Sequence, residues 1–196
     1  MSTAVLPTSQ PNFSGPAGDV EAVREAHRDW WAANFTREMG RRKRSFAPDT
    51  LMFNLNGHTY YGLDEMVQVW SYYTDNIDNG VPELWDYRIF VSGDLAYLTC
   101  EGVFLSRAKT EQGWGTSNAT LNDQASDFTR IRFRETSVLR RDDGEGNPVW
   151  KIWHFHCSPA APADEERPGF GDTWTSRGGD LDGAIPQTPE LPAPAE

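Results

Sequence analysis

Trp150-Lys151-Ile152-Trp153-His154-Phe155-His156-Cys157-Ser158 is the last long apolar run of the chain. It alternates with a period of two, which predicts a strand with Trp150, Ile152, His154, His156 and Ser158 on one face. Two imidazoles and a hydroxyl beside large apolar groups are unusual for a pure core face. They are what one wall of a polar-lined pocket would carry. Upstream, the segment 128–139 has the same period and sets Arg132, Arg134, Thr136 and Val138 on a shared face. The Asp- and Gly-rich segment 140–148 then reads as a hairpin connection between the two strands.

Working outward, 95–107 reads as a long strand, Ser92-Gly93-Asp94 as a turn, and 85–91 as the strand before it. In the long strand Tyr97, Thr99 and Glu101 share one face, and Ala96, Leu98, Cys100 and Gly102 the other. Either face is open to being the inner one. If Glu101 is inside, it is a buried carboxylate with a raised pKa and a natural general acid. Further back, 64–74 reads as a helix carrying Met66, Val67, Trp70 and Tyr73. Before it, 50–54 and 58–61 form a hairpin around Asn56-Gly57. A longer helix starts at Asp19 as N-cap and runs to about Met39, with Val20, Val23, Ala26/His27, Trp30/Trp31 and Asn34 at helical spacing. The basic cluster Arg41-Arg42-Lys43-Arg44 reads either as a solvated helix end or as a clamp for an anionic group. Residues 1–18 are expected to be a flexible arm, 19–160 the folded domain, and 161–196 a Pro/Gly/acidic tail in which Phe170 and Trp174 could anchor. The polar stretch 108–126 is expected to be a lid or an ordered loop.

The formal net charge of -11 over 196 residues argues against general binding to nucleic acid or to an anionic membrane. The eight tryptophans are the compositional outlier, enough for a core and for the walls of a flat ligand site. Cys100 and Cys157 have no CxxC spacing and fall on expected strands, so they read as buried free thiols. The N-terminus lacks a basic then apolar leader, and no run of ~20 apolar residues is present to span a bilayer. Cytoplasmic residence is the expectation.

The element order, with Gly62-Leu63-Asp64, Gly93-Asp94, Arg134-Glu135-Thr136-x-Val138 and Trp150-x-Ile152-x-His154-Phe155-His156-x-Ser158, resembles the NTF2-like superfamily and its SnoaL-like branch. The closing strand is also similar to that of the association domain of calcium/calmodulin-dependent kinase II. The resemblance implies an α+β cone, a strongly curved antiparallel sheet with helices on its concave face, and a homodimer formed through the outer face of that sheet. It spans steroid isomerases, polyketide cyclases, dehydratases, lyases and non-catalytic assembly domains. The positions where the isomerases carry their catalytic and oxyanion-hole carboxylates fall near Asn54 and Val138, and the helix-one tyrosine falls near Trp30 or Trp31. None of these is the isomerase residue, which weighs against classical steroid isomerase chemistry.

No nucleotide fingerprint, P-loop, Ser-His-Asp order or strong metal motif is visible, so no cofactor and no metal are expected. What remains is proton-transfer chemistry on an aromatic small molecule. The aromatic richness is similar to that of the sphingomonad lyases that release a γ-carbon as formaldehyde from lignin-derived diarylpropane diols. That resemblance implies an acid at a benzylic hydroxyl, a base at the terminal hydroxyl and a cation near the phenolate. His154 or Glu101 is the expected acid, His156 or Tyr60 the base, and Arg134 the cation. Trp30, Trp31, Asn54, His58, Trp70, Tyr73 and Thr136 are the expected substrate-binding residues. A cyclase, dehydratase or isomerase, or a non-catalytic binding domain, is the alternative.

Overall fold

Val20, Val23, His27, Trp30 and Trp31 recur every three or four residues, so one stripe of the first helix has to be covered, and a sheet covers it. The structure is a computed structural model that describes residues 12–108 and 129–161. Most of the expected arm, the loop 109–128, and the tail from 162 with Phe170 and Trp174 lie outside the described residues.

In chain order the elements are β1 (Asn12–Ser14), α1 (Ala17–Thr36), α2 (Met39–Ser45), β2 (Phe46–Phe53), β3 (Thr59–Tyr61), α3 (Gly62–Asn76), β4 (Ile77–Asn79), β5 (Glu83–Ser92), β6 (Leu95–Ala108), β7 (Thr129–Arg141) and β8 (Trp150–Pro159). The end of the expected arm is therefore a short strand, which pairs with β5. The first helix stops at Thr36, short of Met39, because Arg37 takes a left-handed conformation (φ 66°) and its N–H closes back on Ala33 O. The basic cluster then falls on α2, a helix of its own, and Arg42 points inward rather than into solvent.

The sheet runs β1-β5-β6-β7-β8-β2-β3, with β4 also pairing β6. The expectation of a purely antiparallel sheet is corrected here. β1 runs parallel to β5, and β2 runs parallel to β8, while the other pairs are antiparallel. A hairpin forces antiparallel pairing, but β2 reaches β8 without a hairpin between them and is free to run parallel.

Along β6 and β7 the faces are decided by burial. Ala96, Leu98, Cys100 and Phe104 are inside, with Ile131, Phe133, Glu135, Ser137 and Leu139 beside them. Tyr97, Glu101, Arg132, Arg134 and Thr136 belong to the outer face. On β8 the alternation breaks. Leu139 pairs with Ile152 and the adjacent Val138 pairs with His154, so Trp153 is an extra residue on the β8 side. A bulge of one residue reverses every later side chain. Trp150 and Ile152 point in, as do Phe155 and Cys157, whereas His154 and His156 turn out. The sequence reading that put Trp150, Ile152, His154 and His156 on one face fails at that bulge.

The core is aromatic. Trp30 meets Phe46 edge-on at 4.9 Å and Trp70 at 5.3 Å. Trp31 stacks on Phe133 at 4.9 Å with an interplanar angle of 17°. Phe133 reaches that place across Gly102, where an added Cβ would stand 2.6 Å from its ring. Among the described residues no helix is long and apolar enough to cross a membrane.

Candidate functional site

Two recesses meet at the end of the sheet where β2 and β8 finish. The inner one has a volume of ≈ 50 Å³ and is walled by Trp30, Trp31, Trp70, Phe104, Phe155 and Leu55. Its polar lining is Asn34, Asn54, Tyr73, Asn79 and the Cys157 thiol. The outer one is an open groove of ≈ 440 Å³ carrying His58, Thr59, His156 and Ser158. Asn54, Leu55 and Cys157 border both, so the groove is the antechamber of the pocket.

The turn that shapes this entrance is dictated locally. Asn54 N–H bonds to His58 O at 3.0 Å, and Gly57 N–H to Asn54 O at 2.9 Å. Gly57 takes φ 83°, a backbone region open to glycine at no steric cost. The turn sets Asn56 so that its Nδ2 donates to Tyr60 Oη at 2.8 Å and also to Tyr73 Oη. Burial pushes the Tyr73 phenol well above the ordinary tyrosine range, with Tyr60 adding to it and the Asn56 bond opposing. Tyr73 therefore keeps its proton, and its phenol shares a hydrogen bond with Tyr60 as well as accepting from Asn56. Within the lining, Trp30 Nε1 and Asn79 Oδ1 are buried with no hydrogen-bond partner among the described residues. All the lining residues of the inner pocket are uncharged. Burial, then Glu135, raises the pKa of Cys157, so that thiol is neutral as well.

Behind Trp31 lies a sealed polar cluster that the sequence reading did not single out. His27 is 0% and Glu135 2% exposed. His27 Nε2 lies 2.8 Å from Glu135 Oε1, Trp31 Nε1 donates to Oε2 at 2.8 Å, and Ser137 Oγ donates to Oε1 at 2.7 Å. Tyr87 Oη is 3.4 Å from His27 Nδ1, and Cys100 Sγ is 3.8 Å from Glu135 Oε2. Burial pushes the Tyr87 phenol and the Cys100 thiol upward, so both stay protonated. His27, Cys100 and Glu135 are a metal-capable set by type. Yet the carboxylate's oxygens are already engaged by donors, and the imidazole sits at hydrogen-bond distance. As folded, the cluster is a closed hydrogen-bond network.

The sequence-chosen residues separate into three groups. Trp30, Trp31, Asn54, Trp70 and Tyr73 come together around the inner pocket. Tyr60 joins them through Asn56, and His58 and His156 line the groove. His154, Arg134, Thr136 and Glu101 lie on the outer face, away from the interior they were expected to share. The reason for His154 is the Trp153 bulge. For Arg134 and Glu101 it is the choice of face, which Phe133, Glu135, Cys100 and Leu98 decide by packing under α1. Glu101 takes Arg132 Nη2 at 2.8 Å, an ordinary partly exposed ion pair. His154 packs edge-on to Phe53 at 5.1 Å, and burial lowers its pKa, with a backbone bond at Leu51 opposing and His156 adding to the fall. A helical spacing of 20, 23, 27 and 30 was the available signal for His27, and strict alternation through Phe133 the signal for Glu135.

Three comparisons bear on the fold. The profile of the SnoaL-like domain matches residues 23–162. A Streptomyces avermitilis protein, put forward as a dehydratase of the NTF2-like family, is 20% identical with a TM-score of 0.56, covering 76% of this chain and 100% of its own. A Novosphingobium aromaticivorans protein, put forward as an aromatic ring hydroxylase, is 15% identical with a TM-score of 0.58, covering 76% and 93%. An Exiguobacterium sibiricum protein, put forward as a calcium/calmodulin-dependent kinase II association domain, is 12% identical with a TM-score of 0.54, covering 76% and 98%. At these identities the likeness is one of fold. No curated protein matches the sequence.

Proposed function

This chain belongs to the SnoaL-like domain family, and we propose that it is a cofactor-independent enzyme acting on an aromatic small molecule, a lyase that works by proton transfer. One observation carries the reading. A tryptophan-walled pocket with a protonated phenol at its polar end opens into a groove bearing two imidazoles. The edge of a ring enters the pocket from the groove, and the reacting carbons lie at the junction marked by Asn54 and Cys157.

In its most specific form the substrate is a diarylpropane diol with a phenolic ring. One ring lies in the groove with its leading edge in the pocket, whose ≈ 50 Å³ is less than a whole ring fills, and the other ring lies further out along the groove. Tyr73, held by Asn56 and Tyr60, turns its hydroxyl to hydrogen-bond the benzylic hydroxyl, which leaves as water with the proton given up by the substrate's own phenol, and a quinone methide remains. A base in the groove, His156 or His58, takes the proton of the terminal hydroxyl. The carbon–carbon bond then breaks, formaldehyde departs, and the electron pair forms the new double bond and restores the aromatic ring. Substrate becomes stilbene, water and formaldehyde, with no oxidant required. We further propose that two copies pair through the outer sheet face, where Phe53, Phe90 and Tyr97 are exposed.

The test mixes purified chain with a phenolic diarylpropane diol and follows formaldehyde by trapping and stilbene by absorbance. Equimolar release of both is expected. Ring compounds that raise the melting temperature without any formaldehyde would leave a binding pocket and remove the lyase. No ligand response at all would remove the pocket itself.

A further inference from the structure

Arg42 is 1% exposed, among the most buried large side chains of the fold. Its Nη1 donates to Trp70 O at 3.4 Å, and its guanidinium carbon lies 5.6 Å from the centre of the Trp70 ring. Nε is buried without a partner, and no carboxylate among the described residues pairs with the group. Its pKa falls to about 10, through burial first and then the nearby Arg37. Arg37 donates to Tyr73 O and to Ile77 O. Trp70, Tyr73 and Ile77 all line the inner pocket. Two guanidiniums are thus seated directly behind one wall of a pocket whose own lining is uncharged.

A cation in a dry interior is costly unless an anion answers it. The carbonyls near the C-terminus of α3 supply partial negative charge only. Arg37 faces Asp78, which itself pairs with Arg107 at 3.1 Å. The other buried charged residue near the pocket, Glu135, is committed to His27, Trp31 and Ser137. The field that reaches the pocket through Trp70 is therefore positive, and Trp30 Nε1 adds an unclaimed donor on the same side chain cluster.

We propose that the inner pocket and its groove together take a ring ligand as an anion, a phenolate or an aromatic carboxylate whose charged end enters the pocket, selected by the buried Arg42 guanidinium acting across Trp70. This rests on the pocket reading above and names the ionic form of what enters. Arg42 touches no ligand atom, so it is a specificity-determining residue rather than a catalytic one.

Benzoate and benzamide test it, being rings of one size that differ in charge. Their dissociation constants are measured by calorimetry at fixed ionic strength on the whole chain, Arg42→Met and Arg42→Lys. Wild type is expected to favour benzoate by about tenfold, the scale of one charge pair across ~10 Å of protein. Arg42→Met should lose that preference while still binding benzamide, and Arg42→Lys should keep most of it. Equal binding of the two by wild type overturns the proposal without recourse to any variant, as does a preference that survives in Arg42→Met. Should Arg42→Met fail to fold, Arg42→Gln takes its place in the comparison. If neither benzoate, benzamide nor a larger neutral ring such as naphthol binds, the pocket reading itself falls, a result distinct from binding without charge preference.

Discussion

Trp31 joins the two polar systems of the interior. Its ring faces the pocket and stacks on Phe133, while its Nε1–H bonds to Glu135 Oε2. A buried acceptor that loses its donor costs about 1–3 kcal/mol, more than the net value of the bond itself. Trp31→Phe keeps an aromatic stack and removes that donor. We expect the urea midpoint to fall by an amount in that range, with the slope of the transition unchanged. An unaltered midpoint would mean that Trp31 is not the donor that holds Glu135. The Arg42 side chain makes the opposite case. Its folded pKa of about 10, well below the ordinary arginine value, corresponds to an unfavourable burial on the order of 3 kcal/mol. The sign follows from proton binding. Below about 10 both states hold the proton and the full penalty stands; as pH rises from there toward the ordinary arginine value the folded state gives up its proton first and the penalty is relieved. Arg42→Met is therefore expected to melt at or above the wild-type temperature at pH 7, whereas a purely structural arginine would leave a less stable protein.

The β8 element shows what was legible and what was not. Period-two alternation gave the strand and its neighbours β5, β6 and β7, and the helical repeat of Val20, Val23, Trp30 and Trp31 gave α1. The aromatic residues of the pocket were likewise readable, because large rings repeating on a helix have to be covered. The bulge at Trp153 was not readable. Nothing in a uniformly apolar run marks which residue is the extra one; that is settled by β7, where Leu139 and Val138 pair with Ile152 and His154. The buried cluster was hidden for a related reason. His27 and Glu135 look like polar interruptions until α1 is laid across β7 and their side chains meet. Deleting Trp153 tests the element directly. With the extra residue gone, strict alternation from Ile152 keeps His154 and His156 outward and Phe155 and Cys157 inward. Native-like near-ultraviolet circular dichroism and cooperative melting are expected, at a lower temperature because the Trp153 bond to Asp142 O is lost. A deletion variant that loses cooperative melting would show that Trp153 is not merely an extra residue in the β8 ladder.

On the scale of the whole molecule, the sheet has one face filled by helices and one that no helix among the described residues covers. Phe53, Phe90 and Tyr97 are 40%, 43% and 47% exposed on the open face, and Phe90 stacks on Tyr97 at 5.5 Å. Of the arginines on that face, Arg132 is paired with Glu101 and Arg130 with Glu83, while the exposed Arg134 has no ion-pair partner among the described residues. Each chain nevertheless carries a net charge of -11, so pairing brings two acidic bodies together. Their repulsion is long-ranged at low salt and screened within about 8 Å at physiological salt. The proposed dimer should therefore tighten from 20 to 200 mM salt in sedimentation velocity, as apolar contact gains over screened repulsion. His154 sits beside Phe53 on this face, and burial lowers its pKa. The stability it lends is present above the unfolded value and is lost as pH falls through the lower folded one, so acid should weaken both fold and pairing. Phe90→Asp with Tyr97→Asp places carboxylates in the contact while touching the lining of neither recess. We expect that double variant to sediment as a monomer, to lose the concentration dependence of its melting temperature, and still to bind benzoate. A wild-type chain that is already monomeric at every salt concentration would remove the pairing, and benzoate binding by that monomer would leave the pocket argument untouched.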